Sequence, residues 1–157
     1  MIIPIKRLTE HAKLPTHGTA ESAGYDLYAD LSNNLYATQM LNINDNYINI
    51  RPHETELVPT GIAIAIPSGY FGGIYARSGL ATRQGLRPAN CVSVIDADYR
   101  GELLVPIHND SDTTKKIVHG ERIAQLVIHK FQKIQWEETD QLTESERGAG
   151  GFGSTGR

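Results

Sequence analysis

Several features common in secreted, membrane and zinc proteins are scarce or absent in this sequence. It has one cysteine, Cys91, so it can form no internal disulfide. Because Cys91 lies in an apolar run, we expect a buried, inert thiol. No apolar run approaches the length of a membrane span, the first residues lack the layout of a signal peptide, and the six histidines are not paired at zinc-ligand spacing. We therefore expect a cytoplasmic protein that contacts no membrane.

Excess positive charge is also absent. The formal net charge of -3 argues against a general nucleic-acid binder, although positive charge can still be local to a small anionic ligand. Hydrophobic content of 39% and charged content of 21% are ordinary for a globular domain. A length of 157 residues is enough for one domain with a hydrophobic core.

Short apolar segments separated by turn residues make up most of the chain. Alternation and β-branched residues predict strands at 62–66, 70–75, 92–96, 102–108, 115–118 and 122–129. Many short strands at this spacing indicate an all-β sandwich, jelly roll or barrel. Residues 32–49, rich in asparagine and without a clean period, predict a long surface excursion with a short strand near Tyr47 and Ile48.

One segment predicts a helix. Ser78 is a good N-cap, residues 80–84 can form one or two turns, and Gly85 is a natural stop. Exposed amides at such a helix start favour an anion.

The last eleven residues, 147–157, contain five glycines and few apolar side chains, so we expect them to be mobile. Arg147 can pair with phosphate, Phe152 can stack on a base, and Ser154 and Thr155 can donate to anionic oxygens. A frayed terminus is the alternative interpretation. We divide the chain into a folded domain, 1–142, and a mobile glycine-rich lid, 143–157.

Two polar clusters in the folded part each allow two interpretations. Asp96 follows an apolar strand, where a carboxylate can hold and polarise a water, but such a cluster is also typical of a hairpin tip. The run Arg77-Ser78-Gly79 could grip a polyphosphate or simply begin a surface helix with a neighbouring salt bridge.

Two polar residues within strands are equally open to interpretation. Asp26 could be a buried partner that orients an arginine, or a hydrated carboxylate on a plain strand. Gln125 lies in an apolar strand and needs a partner, which could be a phosphate oxygen or a backbone carbonyl.

Taken in order, five segments resemble the five motifs of the trimeric deoxyuridine triphosphatases (dUTPases): 23–27, 77–81, 94–101, 120–126 and 147–156. The resemblance spans nearly the whole chain. It implies a jelly-roll protomer with one short helix and a flexible C-terminal tail, and a homotrimer with shared active sites. It also implies Mg²⁺-dependent hydrolysis of dUTP to dUMP and pyrophosphate, which limits uracil in DNA and supplies dUMP for dTMP synthesis.

The resemblance assigns roles around the sugar, the base and the attacking water. Asp96 would orient and activate the water that attacks the α-phosphorus. Tyr99 would pack on deoxyribose and leave no room for a 2′-hydroxyl. Uracil would be held by the side chain of Asn90 and by the hairpin backbone at Ser93, Val94 and Ile95.

The resemblance also assigns the triphosphate contacts. In the folded domain these would be Arg77, Ser78, Gly79 and Gln125, with Asp26 supporting Arg77. In the tail, Arg147 would act as an arginine finger, Phe152 would stack on uracil, and Ser154 and Thr155 would lie near the γ-phosphate. Gly153 would also contact the substrate. Mg²⁺ would be held by phosphate oxygens and water, without a direct protein ligand.

Three departures from the family pattern stand out. Ala76 replaces the proline that usually precedes Arg77, which would loosen that loop. Ser93 replaces a glycine of the uracil hairpin and would be strained if the position required positive φ. The 32–49 excursion is longer than in many members.

Two other functions compete. A dCTP deaminase resembles the fold, but it would need a glutamate placed for amine chemistry at the base, and the tail here is that of a triphosphatase. A non-catalytic nucleotide-sensing trimer is the other alternative. The presence of Asp96, Arg77, Gln125 and the complete tail argues against it.

Overall fold

A computed structural model of the chain describes residues 1–32, 43–44 and 46–151. These residues form twelve strands and one helix. In chain order the elements are β1 Ile5–Arg7, β2 Tyr25–Tyr28, β3 Ile43–Asn44, β4 Tyr47–Ile50, β5 Thr55–Pro59, β6 Ile62–Ile64, β7 Tyr70–Tyr75, α1 Ser78–Gln84, β8 Leu86–Pro88, β9 Ser93–Ile95, β10 Leu104–Asn109, β11 Lys115–Val118 and β12 Arg122–Lys130.

The described strands pair into small antiparallel sheets. Their orders are β1-β6, β5-β10-β8, β11-β4-β3 and β2-β12-β7-β9. Most neighbours in a sheet are distant in sequence, as in β2 beside β12, so loops cross between layers. This is the all-β jelly roll that the sequence predicted. No described helix has the length and apolar character needed to cross a membrane.

The hydrophobic core lies between these sheets. Along β10 burial alternates, with Val105, Ile107 and Asn109 buried and the residues between them partly exposed. This two-residue period turns one face of the sheet inward. Leu27 and Ile74 reach the same core from the four-stranded sheet and are fully buried. Burying each such aliphatic side chain stabilises the fold by about 1.5–3 kcal/mol.

Helix α1 begins at Ser78, one residue earlier than the sequence predicted. Arg77, not Ser78, occupies the N-cap position, with an extended backbone and no side-chain cap hydrogen bond. The reason is that the Arg77 side chain turns away to Asp26, which fixes the residue just before the first helical turn. Gly85 ends the helix in the left-handed conformation at φ 69°, as predicted.

The expectation of a buried thiol at Cys91 is wrong. Cys91 is exposed and adopts φ 58° in the turn between β8 and β9. Its N–H donates to Pro88 O at 3.2 Å, and Val92 N donates to Asn90 O at 2.6 Å. These turn contacts point the side chain outward, although its neighbours in sequence are apolar.

The predicted excursion is only partly described. Its predicted short strand corresponds to β4. Residues 33–42 and residue 45 lie outside the described residues. From 131 to 151 the chain contains no strand or helix, and it exposes Ile134, Trp136 and Leu142 by 64%, 87% and 88%. The division at residue 142 stays a prediction.

Asn109 offers a test of the packing. Its side chain, fully buried at the end of β10, donates to Ile50 O at 2.9 Å and to Thr113 O at 2.9 Å. Its Oδ1 accepts from Ser111 N at 3.0 Å. We expect Asn109→Ala to lower the free energy of unfolding by about 2 kcal/mol or more, because each buried group left without a partner costs about 1–3 kcal/mol. Urea denaturation at fixed protein concentration measures the loss.

The matched control is Asn49→Ala, at a half-buried asparagine on β4. Equal denaturation midpoints for the two variants would contradict a structural role for the Asn109 side chain.

Candidate active site

Asp26 is a buried carboxylate at the centre of an ion cluster. It is 8% exposed on β2, and Arg77 Nε donates to its Oδ1 at 2.8 Å. Arg122 Nη1 donates to the other oxygen, Oδ2, at 3.1 Å. One carboxylate therefore holds two guanidinium groups, one before α1 and one at the start of β12. This geometry favours the interpretation of Asp26 as an arginine partner over that of a hydrated carboxylate.

Arg122 is a residue that the sequence reasoning missed. It lies within the 120–126 motif, but its role depends on the pairing of β12 with β2, which no local pattern reveals. A register shift between Arg122 and Ala124 marks a bulge at this point. Such a bulge re-aims side chains beside functional sites, and here the Arg122 guanidinium reaches Asp26.

Gln125 lies beside this cluster. In the β12 register it is opposite Asp26 on one side and Tyr75 on the other. Its side chain lies against Gly24, where an added Cβ would come 2.6 Å from Gln125 Oε1. Within the described ranges we find no hydrogen-bond partner for the Gln125 amide. Gly24 therefore leaves room for an amide that is available to a ligand.

Ser78 and Gly79 follow Arg77 directly and are both exposed. A Cβ at Gly79 would meet nothing within 4 Å, so the chain here is open to a bound group. The structure thus brings Arg77, Ser78, Gly79 and Gln125 to one side of the protomer around Asp26. We refer to these five residues and Arg122 as the arginine cluster.

The hairpin residues form a second group. Ser93 is buried, and its Oγ donates to Asn90 Oδ1 at 2.6 Å. In the described chain, the residues other than glycine with positive φ are His53 and Cys91. Ser93 therefore carries no strain of that kind, and the serine adds a hydrogen bond that glycine could not make.

Asp96 and Tyr99 follow on the same hairpin. Asp96 is exposed just after β9, and Tyr99 N donates to its carbonyl oxygen at 3.2 Å. The Tyr99 hydroxyl donates to Glu102 O at 3.0 Å. Residues 94–96, Tyr99, Glu102 and Leu104 line a pocket of about 160 Å³. We refer to residues 90–102 as the hairpin site.

The arginine cluster and the hairpin site do not meet within one chain. β9 pairs with β7 so that Ile95 lies opposite Gly72, near the start of β7, and Asp96 continues beyond it. Arg77 follows the other end of β7, after Tyr75. At about 3.3 Å per strand residue the two groups are separated by on the order of 10 Å or more along the strand.

The Arg147 side chain is held within its own turn. Its Nε donates to Gly150 O at 2.8 Å within its own turn. The other tail residues of the predicted site, Phe152, Gly153, Ser154 and Thr155, lie outside the described residues. In the part of the chain that is described, no three His, Cys, Asp or Glu side chains gather as a metal site would require.

A dUTPase family model matches residues 10–156. The chain belongs to the dUTPase family. It is 44% identical over 155 residues to the deoxyuridine 5'-triphosphate nucleotidohydrolase of Rickettsia felis, with 98% of this chain and 96% of the relative covered. The corresponding protein of Orientia tsutsugamushi is 42% identical over 159 residues, with 99% of each covered.

Solved structures of family members share the fold. A mutant of the dUTPase of Staphylococcus bacteriophage 80alpha, solved with dUpNHpp, superposes with a TM-score of 0.83, 27% identity and 99% of each chain covered. A mutant dUTPase of phage phi11 of S. aureus, described as coordinating a structural Mg(II) ion, superposes with a TM-score of 0.75 at 22% identity. There, 92% of this chain and 100% of the phage chain are covered.

The close approach of Gly24 to Gln125 generates a prediction. Gly24→Ala should push the Gln125 amide aside and weaken binding of dUpNHpp about tenfold, the size expected for one hydrogen bond to a charged group. Isothermal titration calorimetry measures the change. Gly18→Ala is the control, because its Cβ would meet only Ser22 Oγ at an ordinary 3.8 Å. Equal affinities for the two variants would remove Gln125 from the ligand contacts.

Proposed function

We infer that this chain is a dUTP diphosphatase that hydrolyses dUTP to dUMP and pyrophosphate. The observation that carries this function is the family match over 10–156. The arginine cluster and the hairpin site supply the kinds of group that the reaction needs: cations for a triphosphate, and a carboxylate beside an aromatic ring.

Asp96 is the proposed general base. Its exposed carboxylate orients a water and takes a proton from it as the water oxygen attacks the α-phosphorus. A new P–O bond forms, the bond to the bridging oxygen breaks, and pyrophosphate leaves. Because such a reaction mostly requires alignment and charge stabilisation, the remaining residues act by holding the substrate.

The arginine cluster is proposed to bind the triphosphate. Asp26 engages Arg77 through Nε, and Arg77 Nη1 donates to Arg122 O at 3.4 Å, so Nη2 is the donor proposed to face a ligand. Ser78, Gly79 and Gln125 add neutral donors beside it. From the tail, Arg147 is proposed to neutralise charge in the transition state, Phe152 to stack on uracil, and Ser154 and Thr155 to lie near the γ-phosphate. Gly153 is proposed to contact the substrate.

The hairpin site is proposed to bind deoxyuridine. β9 is the last strand of its sheet, so the backbone groups at Ser93, Val94 and Ile95 that face away from β7 can pair with the edge of a base. Val94 is 61% exposed there. Ser93 occupies one acceptor of Asn90 and thereby orients the amide of that side chain towards the base.

A homotrimer is the proposed assembly, and the separation of the two groups supports a site shared between copies. Since Arg77 and Asp96 lie beyond opposite ends of β7, a complete site requires the arginine cluster of one copy to face the hairpin site of another. The tail of one copy is proposed to close over a neighbour's pocket. The exposed Ile134 and Trp136 in the segment leading to the tail supply apolar surface for such contacts.

Mg²⁺ is the proposed cofactor. Because Mg²⁺ keeps several waters and binds largely through substrate phosphates, we propose that it is held by the triphosphate and water without a direct protein ligand. When bound, the ion neutralises triphosphate charge.

Asp96→Asn should leave dUpNHpp affinity within about threefold of the parent and lower kcat for dUTP by about 10²–10⁴, the usual contribution of a positioned base. Pyrophosphate release measures kcat. Asp98→Asn, two residues along the same exposed turn, is the control. If Asp96→Asn turns over at the parental rate, Asp96 is not the base.

Truncation before Arg147 should preserve the trimer and lower kcat by about 10³ or more, since arginine fingers contribute about 10³–10⁵. Sedimentation reports the assembly, and pyrophosphate release from dUTP, dCTP, dTTP and UTP reports activity and specificity. An active truncated chain would reject the lid. A full-length, folded chain that binds dUpNHpp but releases no pyrophosphate would favour the sensing alternative.

A further inference from the structure

Glu102 carries two contacts that the mechanism above does not use. Its side chain crosses from the hairpin site to the connection between β5 and β6, where Oε1 accepts from Gly61 N at 2.7 Å. Its own carbonyl oxygen accepts from the Tyr99 hydroxyl at 3.0 Å. One residue thus links the Tyr99 ring to the body of the jelly roll.

The receiving side of this link is rigid. Gly61 adopts φ 67°, and a Cβ there would overlap the Asp30 carboxylate, so this position has no space for a side chain. The residue after Glu102 is fixed to the same connection. Leu103 N donates to Ile62 O at 2.9 Å, and its carbonyl accepts from Thr60 Oγ1 at 2.7 Å.

The Tyr99 side of the link is equally constrained. The ring folds back over Gly101, where a Cβ would overlap the phenol. Within the turn, Arg100 Nη1 donates to Ala97 O at 2.7 Å and to Tyr99 O at 2.8 Å. The turn is therefore held internally, and Glu102 connects it to the rest of the protein as one unit.

Holding a carboxylate at this place is unfavourable by itself. Burial raises the pKa of Glu102, and the charge of Asp30 adds to that rise, while the backbone N–H groups of Gly61 and Thr60 oppose it. A partly buried charge often contributes little net stability. Unfolding measurements alone therefore cannot reveal the role of this side chain, and a functional readout is needed.

We propose that Glu102 is a positioning residue for sugar discrimination, which fixes the Tyr99 ring by tying its turn to Gly61. This inference rests on the proposed dUTP hydrolysis and on the proposed packing of Tyr99 against deoxyribose. A ring held at a fixed depth excludes a 2′-hydroxyl by overlap, whereas a ring that can retreat admits it. Glu102 acts through Tyr99 and touches no reacting atom.

The experiment compares kcat/KM for dUTP and UTP in the parent, Glu102→Ala, Glu102→Gln and Glu56→Ala. Glu56 is the matched control, because it is also partly buried with its pKa raised by burial, but it lies on β5 away from the hairpin site. We expect Glu102→Ala to lower the dUTP-to-UTP preference about tenfold, the loss expected for one charge-assisted hydrogen bond.

The lower preference should come mainly from a higher KM for dUTP and a higher kcat/KM for UTP. The kcat for dUTP should be less affected. Glu102→Gln should retain the parental preference, because its amide oxygen can still accept from Gly61 N. Glu56→Ala should match the parent on both substrates.

An unchanged preference in Glu102→Ala would overturn the proposal, as would equal losses on both substrates accompanied by a lower melting temperature. A Glu102→Gln variant as unselective as Glu102→Ala would also reject the hydrogen bond to Gly61. If Glu102→Ala does not fold, Glu102→Asp decides by the same criteria, since its shorter side chain cannot reach Gly61. A parent that does not hydrolyse dUTP refutes the proposed function instead.

Discussion

The Asp26 carboxylate is the contact on which the proposed phosphate-binding side of the protein depends. It joins the strand β2, the entry to α1 and the start of β12 through two arginines whose positive charges would otherwise repel each other. Since Asp26 holds Arg77 through Nε, the position and orientation of the guanidinium are set before any ligand binds. Such preorganisation lowers the ordering entropy that a flexible guanidinium loses when it binds.

The pairing of β7 with β9 decides where the hairpin site lies relative to the arginine cluster. Antiparallel registry places Asp96 and Arg77 beyond opposite ends of the same strand. With the roles proposed above, one protomer holds the parts of a site but not a complete site. The jelly roll thus makes assembly a condition of the proposed chemistry, which explains why the residues in question lie near the surface rather than in a deep cleft.

The sequence predicted the all-β fold, most strands and the helix stop at Gly85, because these depend on local alternation and backbone freedom. It wrongly predicted an N-cap at Ser78 and a buried side chain at Cys91. Both positions depend on longer-range contacts or turn geometry, which local sequence patterns do not reveal. Arg122 and Glu102 were missed for the same reason: each acts on a partner 41 or more positions away. The placement of the tail residues beyond 151 stays a prediction.

Trp136 gives the exposed C-terminal segment a further property. It is the only tryptophan in the chain and is 87% exposed in the protomer. Indole emission shifts to shorter wavelength when water around the ring is replaced by apolar contacts. The tryptophan fluorescence of this protein therefore arises from one place, and its emission wavelength reports whether the segment lies free in water or against another surface, without any added label.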